Sequence, residues 1–338
     1  MNPIFIIGTE RSGTNLLRLM LNVHPNIAVP HPPHIIKFFS PLIHLYGDLK
    51  KEKNFRSLAH DVCKMVDLHP YKWPFKINRE KVILNCTEKN LSCIYFAVYN
   101  QYLEHTNKKR WACKSTFMID RVDEILQYYP DAKFIYMVRD GRDVAVSAKK
   151  SIFNDYHVYY TANRWKSEQQ QGIKLLNALP PLSIFLLKYE ELVKDTKNSL
   201  EKLCSFLDEK FDDTMLQYHQ SAEARISGSL SASWKNTGKP VINENIGKYS
   251  GELSKKEIDI FETIAYEELG VLGYTLVNSP DSLNMRNKVM KKKTSYYLSD
   301  RIQAFKVQLR HLIRDKNNLR RFRKYWFLKL IPVKRIIF

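Results

Sequence analysis

The chemistry legible in this chain gathers where small residues meet isolated cations. Residues 4–17 read IFIIGTERSGTNLL: a β-branched and aromatic run ends at Gly8, a loop of small residues follows, and an apolar helical pattern begins near Thr14. A strand, a loop and a helix in that order make an anion site. The first N–H groups of a helix have no internal partner and carry the positive end of its dipole, so a phosphate or sulfate fits there. Gly8 and Gly13 have the spacing of a Walker A loop, but Thr14 and Asn15 stand where Lys and Ser/Thr belong. That exchange argues against magnesium-dependent nucleoside triphosphate chemistry. What is left is a cradle with one cation, Arg11, inside it. A second motif, YMVRDGRDVAVS at 136–147, ends a strand at Val138, turns through Arg139, Asp140, Gly141 and Arg142, and opens a helix with Asp143 as its expected cap. Arg139 and Ser147 then offer a guanidinium fork and a hydroxyl to a second phosphate. The plainer reading of the same residues is a polar turn with solvated arginines.

The elements that must position these groups alternate. Strand signals fall at 5–8, 133–139 and 182–189, and helical signals at 16–24, 143–152 and 196–207, the last with Leu200, Leu203, Cys204 and Leu207 at helical spacing. Such alternation with apolar strands predicts an α/β fold: a P-loop-like parallel sheet flanked by helices, with ligands at the carboxyl ends of its strands. Segments 31–110 and 155–178, with their prolines and aromatics, read as helical insertions forming a lid or substrate wall. The expected organisation is a domain over 1–278 and a basic amphipathic C-terminal extension over 279–338.

Composition narrows the class. An apolar fraction of 44% in 338 residues is ample for a core. No stretch approaches the roughly 18 apolar residues of a membrane span, and the first strand follows Met1 so closely that a cytoplasmic location is expected. Five cysteines without a CxxC pair indicate neither a disulfide framework nor a zinc site, so reduced thiols and no metal are expected. The net charge is +19, yet residues 284–338 hold 17 Lys or Arg against Asp300 and Asp315, a contribution of +15. The rest of the chain is close to an ordinary enzyme of acidic ligands.

Taken together, these motifs resemble the sulfotransferases that use 3′-phosphoadenosine 5′-phosphosulfate (PAPS), in the RSGT-loop branch that includes bacterial and tyrosylprotein sulfotransferases. GTERSGTNLLRLMLNVHPNI is similar to the family's 5′-phosphosulfate loop and KFIYMVRDGRDVAVS to its 3′-phosphate signature. WACKS at 111–115 is similar to the segment of the catalytic lysine, which maps onto Lys114. LLKYEELVKD at 186–195 resembles the strand and turn whose tyrosine approaches the adenine, here Tyr189, and IGKYSGELS at 246–254 a late loop whose lysine reaches the nucleotide, here Lys248. The resemblance runs over about residues 3–276.

It implies an enzyme that moves a sulfuryl group from PAPS to an acceptor hydroxyl, releases adenosine 3′,5′-bisphosphate and needs no metal. Sulfuryl transfer, like phosphoryl transfer, passes through a loose transition state, so positioning and charge stabilisation do most of the work. Arg11 and Lys114 would supply the charge. Ser12, Gly13, Thr14 and Asn15 would cradle the 5′ end, and Arg139, Ser147 and Lys248 would select the 3′-phosphate that ATP lacks. In the tyrosylprotein branch a glutamate follows the HP turn, whereas this chain reads VPHPPHIIKFF from 29 to 39. His31 and His34 are therefore the candidate general bases, against the reading that both only line a pocket. A carbohydrate or a lipid-linked or small alcohol is the expected acceptor.

The tail adds Ile302, Phe305, Leu309 and Leu312 at helical intervals among bases, then YWFLKLIPVKRIIF at 325–338. It is a candidate for peripheral contact with an anionic membrane at its inner surface, weighed against a helix packed on the enzyme itself; no nucleic-acid partner is expected. Two alternatives stand beside the leading reading. A P-loop kinase-like phosphotransferase predicts binding of ATP with magnesium, and a non-catalytic polyanion-binding protein predicts neither nucleotide.

Overall fold

A computed structural model describes residues 2–151, 155–230, 232–277, 289, 291–314 and 318–337. Five strands, β1 (Ile4–Gly8), β2 (Ile27–Ala28), β3 (Arg110–Lys114), β4 (Lys133–Val138) and β5 (Ile184–Lys188), form one sheet in the order β2-β3-β1-β4-β5 with every pairing parallel. The period-2 alternation of side chains divides its two faces. Phe5, Ile7, Trp111, Phe134 and Tyr136 enter one core, and Ile4, Ile6, Ala112, Ile135, Met137 and Leu187 the other. Both faces are apolar because both are covered, as a parallel sheet requires.

The helix Thr14–Val23 follows β1, and Gly141–Lys149 follows β4. The expected element types hold at 5–8, 133–139, 182–189 and 196–207, with ends shifted by one to two residues, while position 152 of the expected 143–152 helix lies outside the described residues. Segment 155–178 is helical as expected. It is mostly one helix, Val158–Ala178, laid on the sheet, with Trp165 and Gln169 fully buried and Gly172 against the Tyr136 ring. A Cβ at Gly172 would lie 2.1 Å from that ring, so the glycine permits the contact. Segment 31–110 is helical as expected; within it Leu91–Thr106 is buried against β3, where Tyr99 Oη donates to Cys113 Sγ. All five cysteines are free thiols.

The boundary at 278/279 lies outside the described residues. Beyond it, helices Lys293–Arg314 and Asn318–Ile337 pack back onto the body. Asp300 accepts from the Tyr156 and His157 N–H groups, Tyr296 stacks on His157, and Arg335 pairs with Asp61. The side chain of Leu312 is outside the described residues. Among the described residues, no helix is long and apolar enough to cross a membrane.

Candidate active site

Strand register brings the motifs together. Gly8 at the end of β1 pairs with Met137, two residues before Arg139; Ile6 pairs with Lys114; and Val138 pairs with Lys188, just before Tyr189. Four strand ends, those of β1, β3, β4 and β5, therefore deliver Arg11, Lys114, Arg139 and Tyr189 to one edge of the sheet. β1 lies at the switch point, since the chain builds β2 and β3 on one side of it and then crosses to build β4 and β5 on the other, and crevices in such sheets open there. A cavity of about 500 Å³ occupies the place, within the range of small-molecule sites. Its wall includes Arg11, Gly13, Thr14, Asn15, Lys114, Arg139, Ser147, Tyr189 and Lys248. Ser12 is fully buried in the loop, with its hydroxyl unpartnered among the described residues.

The loop's shape depends on its glycines. Gly8 has φ +130 and a Cβ there would meet the Met137 carbonyl at 2.2 Å; Gly13 has φ +86 and its Cβ would meet the Tyr189 ring at 2.4 Å. Arg11, with φ 74, takes the left-handed conformation without being glycine. This turn opens the helix at Thr14 with Gly13 as its N-cap.

The two expected anion pockets adjoin. Arg11 Nε donates to Ser147 Oγ at 2.9 Å, and Arg139 donates to the Arg11 carbonyl at 3.1 Å and the Asn245 carbonyl at 2.6 Å. The Arg139 guanidinium lies over the Tyr189 ring at 4.5 Å, and its buried Nε has no partner among the described residues. The unpartnered donors Ser12 Oγ, Asn15 Nδ2 and Arg139 Nε suit an anionic nucleotide. Burial and the neighbouring Arg139 lower Arg11 to about 10, with Glu10 opposing. Burial lowers Lys114 to about 8, Glu10 raising it and Arg18 and Arg11 lowering it further. At neutral pH Lys114 is thus mostly an ammonium, and among the described residues it makes no hydrogen bond or ion pair.

Asp143 departs from its expected role. The cap is Asp140, which accepts from the Arg142 N–H at 2.9 Å and grips the Arg142 guanidinium, itself paired with Glu262 at 2.6 Å. Asp143 lies inside the helix and accepts from the Gly247 and Tyr249 N–H groups at 2.8 and 2.9 Å. It pins the loop that carries Lys248 to the cavity.

His31 and His34 are absent from the cavity lining. His34 opens the helix Ile35–Phe39 at φ 58 with its Nδ1 3.2 Å from Ser115 Oγ. His31 packs among His69, Tyr71 and Trp234, and neither of its ring nitrogens has a partner among the described residues. Burial holds both well below the usual imidazole range; His69, Arg18 and Lys114 add to this for His31, and Lys114 and Lys324 for His34. Trp234, 5.2 Å from the His31 ring, lines the cavity and connects the two regions.

Sequence reasoning missed Arg18, Glu223 and the far wall. Arg18 is fully buried, orients Asn15 at 2.8 Å and pairs with Glu223, latching the helix Ala222–Leu230 to the loop's own helix. Tyr218, Asn236, Thr237, Val241, Ile242 and Asn245 complete the wall. They come from short 3₁₀ turns and irregular chain, which carry no periodic signal. Among the described residues no group of three or more His, Cys, Asp or Glu gathers as for a metal ion.

A parallel sheet whose switch point holds a glycine-rich anion loop and converging cations defines a nucleotide-dependent transferase. The sulfotransferase family model matches residues 3–213, and the chain belongs to that family. Protein-tyrosine sulfotransferase A of Caenorhabditis elegans is 23% identical over 300 residues, covering 86% of this chain and 72% of that protein. The protein-tyrosine sulfotransferase of Drosophila melanogaster is 23% identical over 310 residues, covering 89% of this chain and 57% of its own length. The sulfotransferase domain from the curacin biosynthetic pathway shares the fold at a TM-score of 0.54 and 19% identity, over 81% of this chain and 98% of that domain. The chain is a sulfotransferase, and the kinase-like and non-catalytic alternatives give way to that reading.

Proposed function

We propose that this enzyme sulfates a hydroxyl of a carbohydrate or of a lipid-linked or small alcohol, with the donor nucleotide spanning the cavity between Arg11 and Arg139. One observation carries the reading: Arg11, Lys114, Arg139 and Ser147 line a single cavity at the switch point of the sheet. When bound, PAPS supplies the sulfuryl group. Arg11, the N–H groups of Ser12, Gly13 and Thr14, and the hydroxyls of Ser12 and Thr14 hold its 5′ end; Asn15 is oriented toward the loop by Arg18. Arg139 with Ser147, and Lys248 on the loop held by Asp143, hold the 3′-phosphate. Tyr189 floors the cavity beneath Arg139. Lys114 places a positive charge where the leaving phosphate gains a negative one.

The acceptor proton goes to His31 or His34, both neutral at physiological pH and so able to take it. The unpartnered ring nitrogens of His31 and its contact with Trp234 favour it over His34, whose Nδ1 already faces Ser115. The test is calorimetry with adenosine 3′,5′-bisphosphate and with ATP and magnesium, followed by turnover of labelled PAPS against glycans, lipid-linked alcohols, phenols and tyrosyl peptides. Tight bisphosphate binding without metal and labelling of a glycan or alcohol are expected. Labelling confined to tyrosyl peptides would overturn the acceptor, and preference for ATP the donor site.

A further inference from the structure

The two C-terminal helices have two chemically distinct faces. Their inner faces are anchored: Ile331 is buried, the Lys324 ammonium lies 4.2 Å over the Phe38 ring and 3.4 Å from the Pro33 carbonyl, and the Arg335 guanidinium sits 4.4 Å over Tyr46. A helix that packs on its own enzyme should turn its apolar residues inward, and here most stay outside. Tyr297, Leu298, Ile302, Phe305 and Leu309 on the first helix, and Leu319, Phe322, Tyr325, Trp326, Leu330 and Val333 on the second, are 42–75% exposed. Their spacing of three, four or seven residues makes a stripe on each helix. Arg301 and Lys306 on one helix, and Arg320, Arg323, Lys329 and Lys334 on the other, are exposed alongside.

We propose that these outward stripes dock the enzyme on an anionic lipid bilayer. Apolar and aromatic groups flanked by bases match an interface in which acyl chains lie beneath anionic headgroups. A second copy of this chain docking tail to tail would meet the stripe with the same +15 charge, and a nucleic acid would leave the aliphatic groups, Leu298, Ile302, Leu309, Leu319, Leu330 and Val333, in water. The inner face of the second helix meets the loop that carries His31 and His34, with Lys324 on the Pro33 carbonyl and Arg321 on Tyr71 Oη at 3.2 Å. Docking would therefore hold the loop that carries His31 and His34 behind the second helix, about one helix thickness from the lipid surface, and the inference rests on the proposed reading of a lipid-linked alcohol only to that extent.

The test is flotation of the full chain with vesicles of phosphatidylcholine alone and of phosphatidylcholine mixed with phosphatidylglycerol, with binding of adenosine 3′,5′-bisphosphate measured in parallel. The wild type floats only with the mixed vesicles, and raised salt weakens it. Arg323→Gln with Lys329→Gln lowers partitioning about thirtyfold, at roughly fivefold per base. Phe322→Ser with Trp326→Ser lowers it at least tenfold. Both variants keep their nucleotide affinity, because their side chains are exposed and outside the cavity. Failure of the wild type to float overturns the inference, as does undiminished flotation of the Phe322/Trp326 variant, which would mark a general polyanion surface, or self-association without flotation. A loss of nucleotide binding in the wild type would instead indict the donor site.

Discussion

Replacing Arg139 by alanine tests the assignment of the two ends of the nucleotide. The side chain is buried, lies over Tyr189, donates to the Arg11 and Asn245 carbonyls and has Asp143 Oδ2 3.9 Å from Nη2, while its Nε has no partner among the described residues and is assigned to the 3′-phosphate. A charge-assisted hydrogen bond to a phosphate is worth about 1.5–3 kcal/mol, so its loss weakens adenosine 3′,5′-bisphosphate by about ten- to a hundredfold. The same substitution also removes two internal hydrogen bonds, so affinity alone is ambiguous. Adenosine 5′-monophosphate, which lacks the 3′-phosphate, supplies the second leg of a cycle. Calorimetry should show wild type strongly preferring the bisphosphate and Arg139→Ala binding both nearly alike. Arg139→Lys, with the charge but not the fork, should fall between them. Equal loss for both nucleotides would refute the reasoning and reduce Arg139 to a brace for the loop.

Four further outcomes are expected. Lys114→Ala should lower kcat by about a hundred- to a thousandfold with little change in bisphosphate affinity, checked by steady-state kinetics beside calorimetry. Because Lys114 sits at about 8, its ammonium persists below that pH and is lost above it, so kcat/KM should hold through neutrality and decline as pH rises past 8; a profile still rising at pH 9 would exclude the role. Gly13→Ala forces a side chain into the left-handed region, at a cost of about 1–2 kcal/mol, and into the Tyr189 ring; thermal unfolding should fall by several degrees and nucleotide binding should be lost. Asp143→Ala should free the 246–254 loop and weaken the bisphosphate several-fold, with faster amide exchange at Gly247 and Tyr249 as a readout that a remote effect would not give.

The sheet and its anion loops were legible because they depend on local rules. Gly8 and Gly13 combine positive φ with a neighbour that a Cβ would strike, the Met137 carbonyl and the Tyr189 ring, and the strands around Phe5, Phe134 and Leu187 are apolar on both faces. The helix Val158–Ala178 was not recognised as a sheet cover because its buried positions include Gln169, Thr161 and Gly172, which dilute the apolar period. Asp143 passed for a cap because Asp140, two residues before Arg142, offers the same chemistry. The buried pairing of Arg18 with Glu223 joins residues 205 positions apart, and no spacing rule reaches that far. The outward stripes of the tail were visible as amphipathic helices, but which face turns inward depends on Tyr296, Asp300 and Ile331, whose partners lie elsewhere in the chain.

The hydrogen bond from Arg139 to the Arg11 carbonyl gives the donor site an internal check. In the proposed arrangement, the guanidinium assigned to one end of the nucleotide also holds the backbone of the turn assigned to the other. A donor stripped of its 3′-phosphate would thus meet a slacker grip around the group to be transferred, and its turnover would suffer along with its affinity. Discrimination is then exercised twice, at capture and again at the moment of transfer, through a single shared side chain.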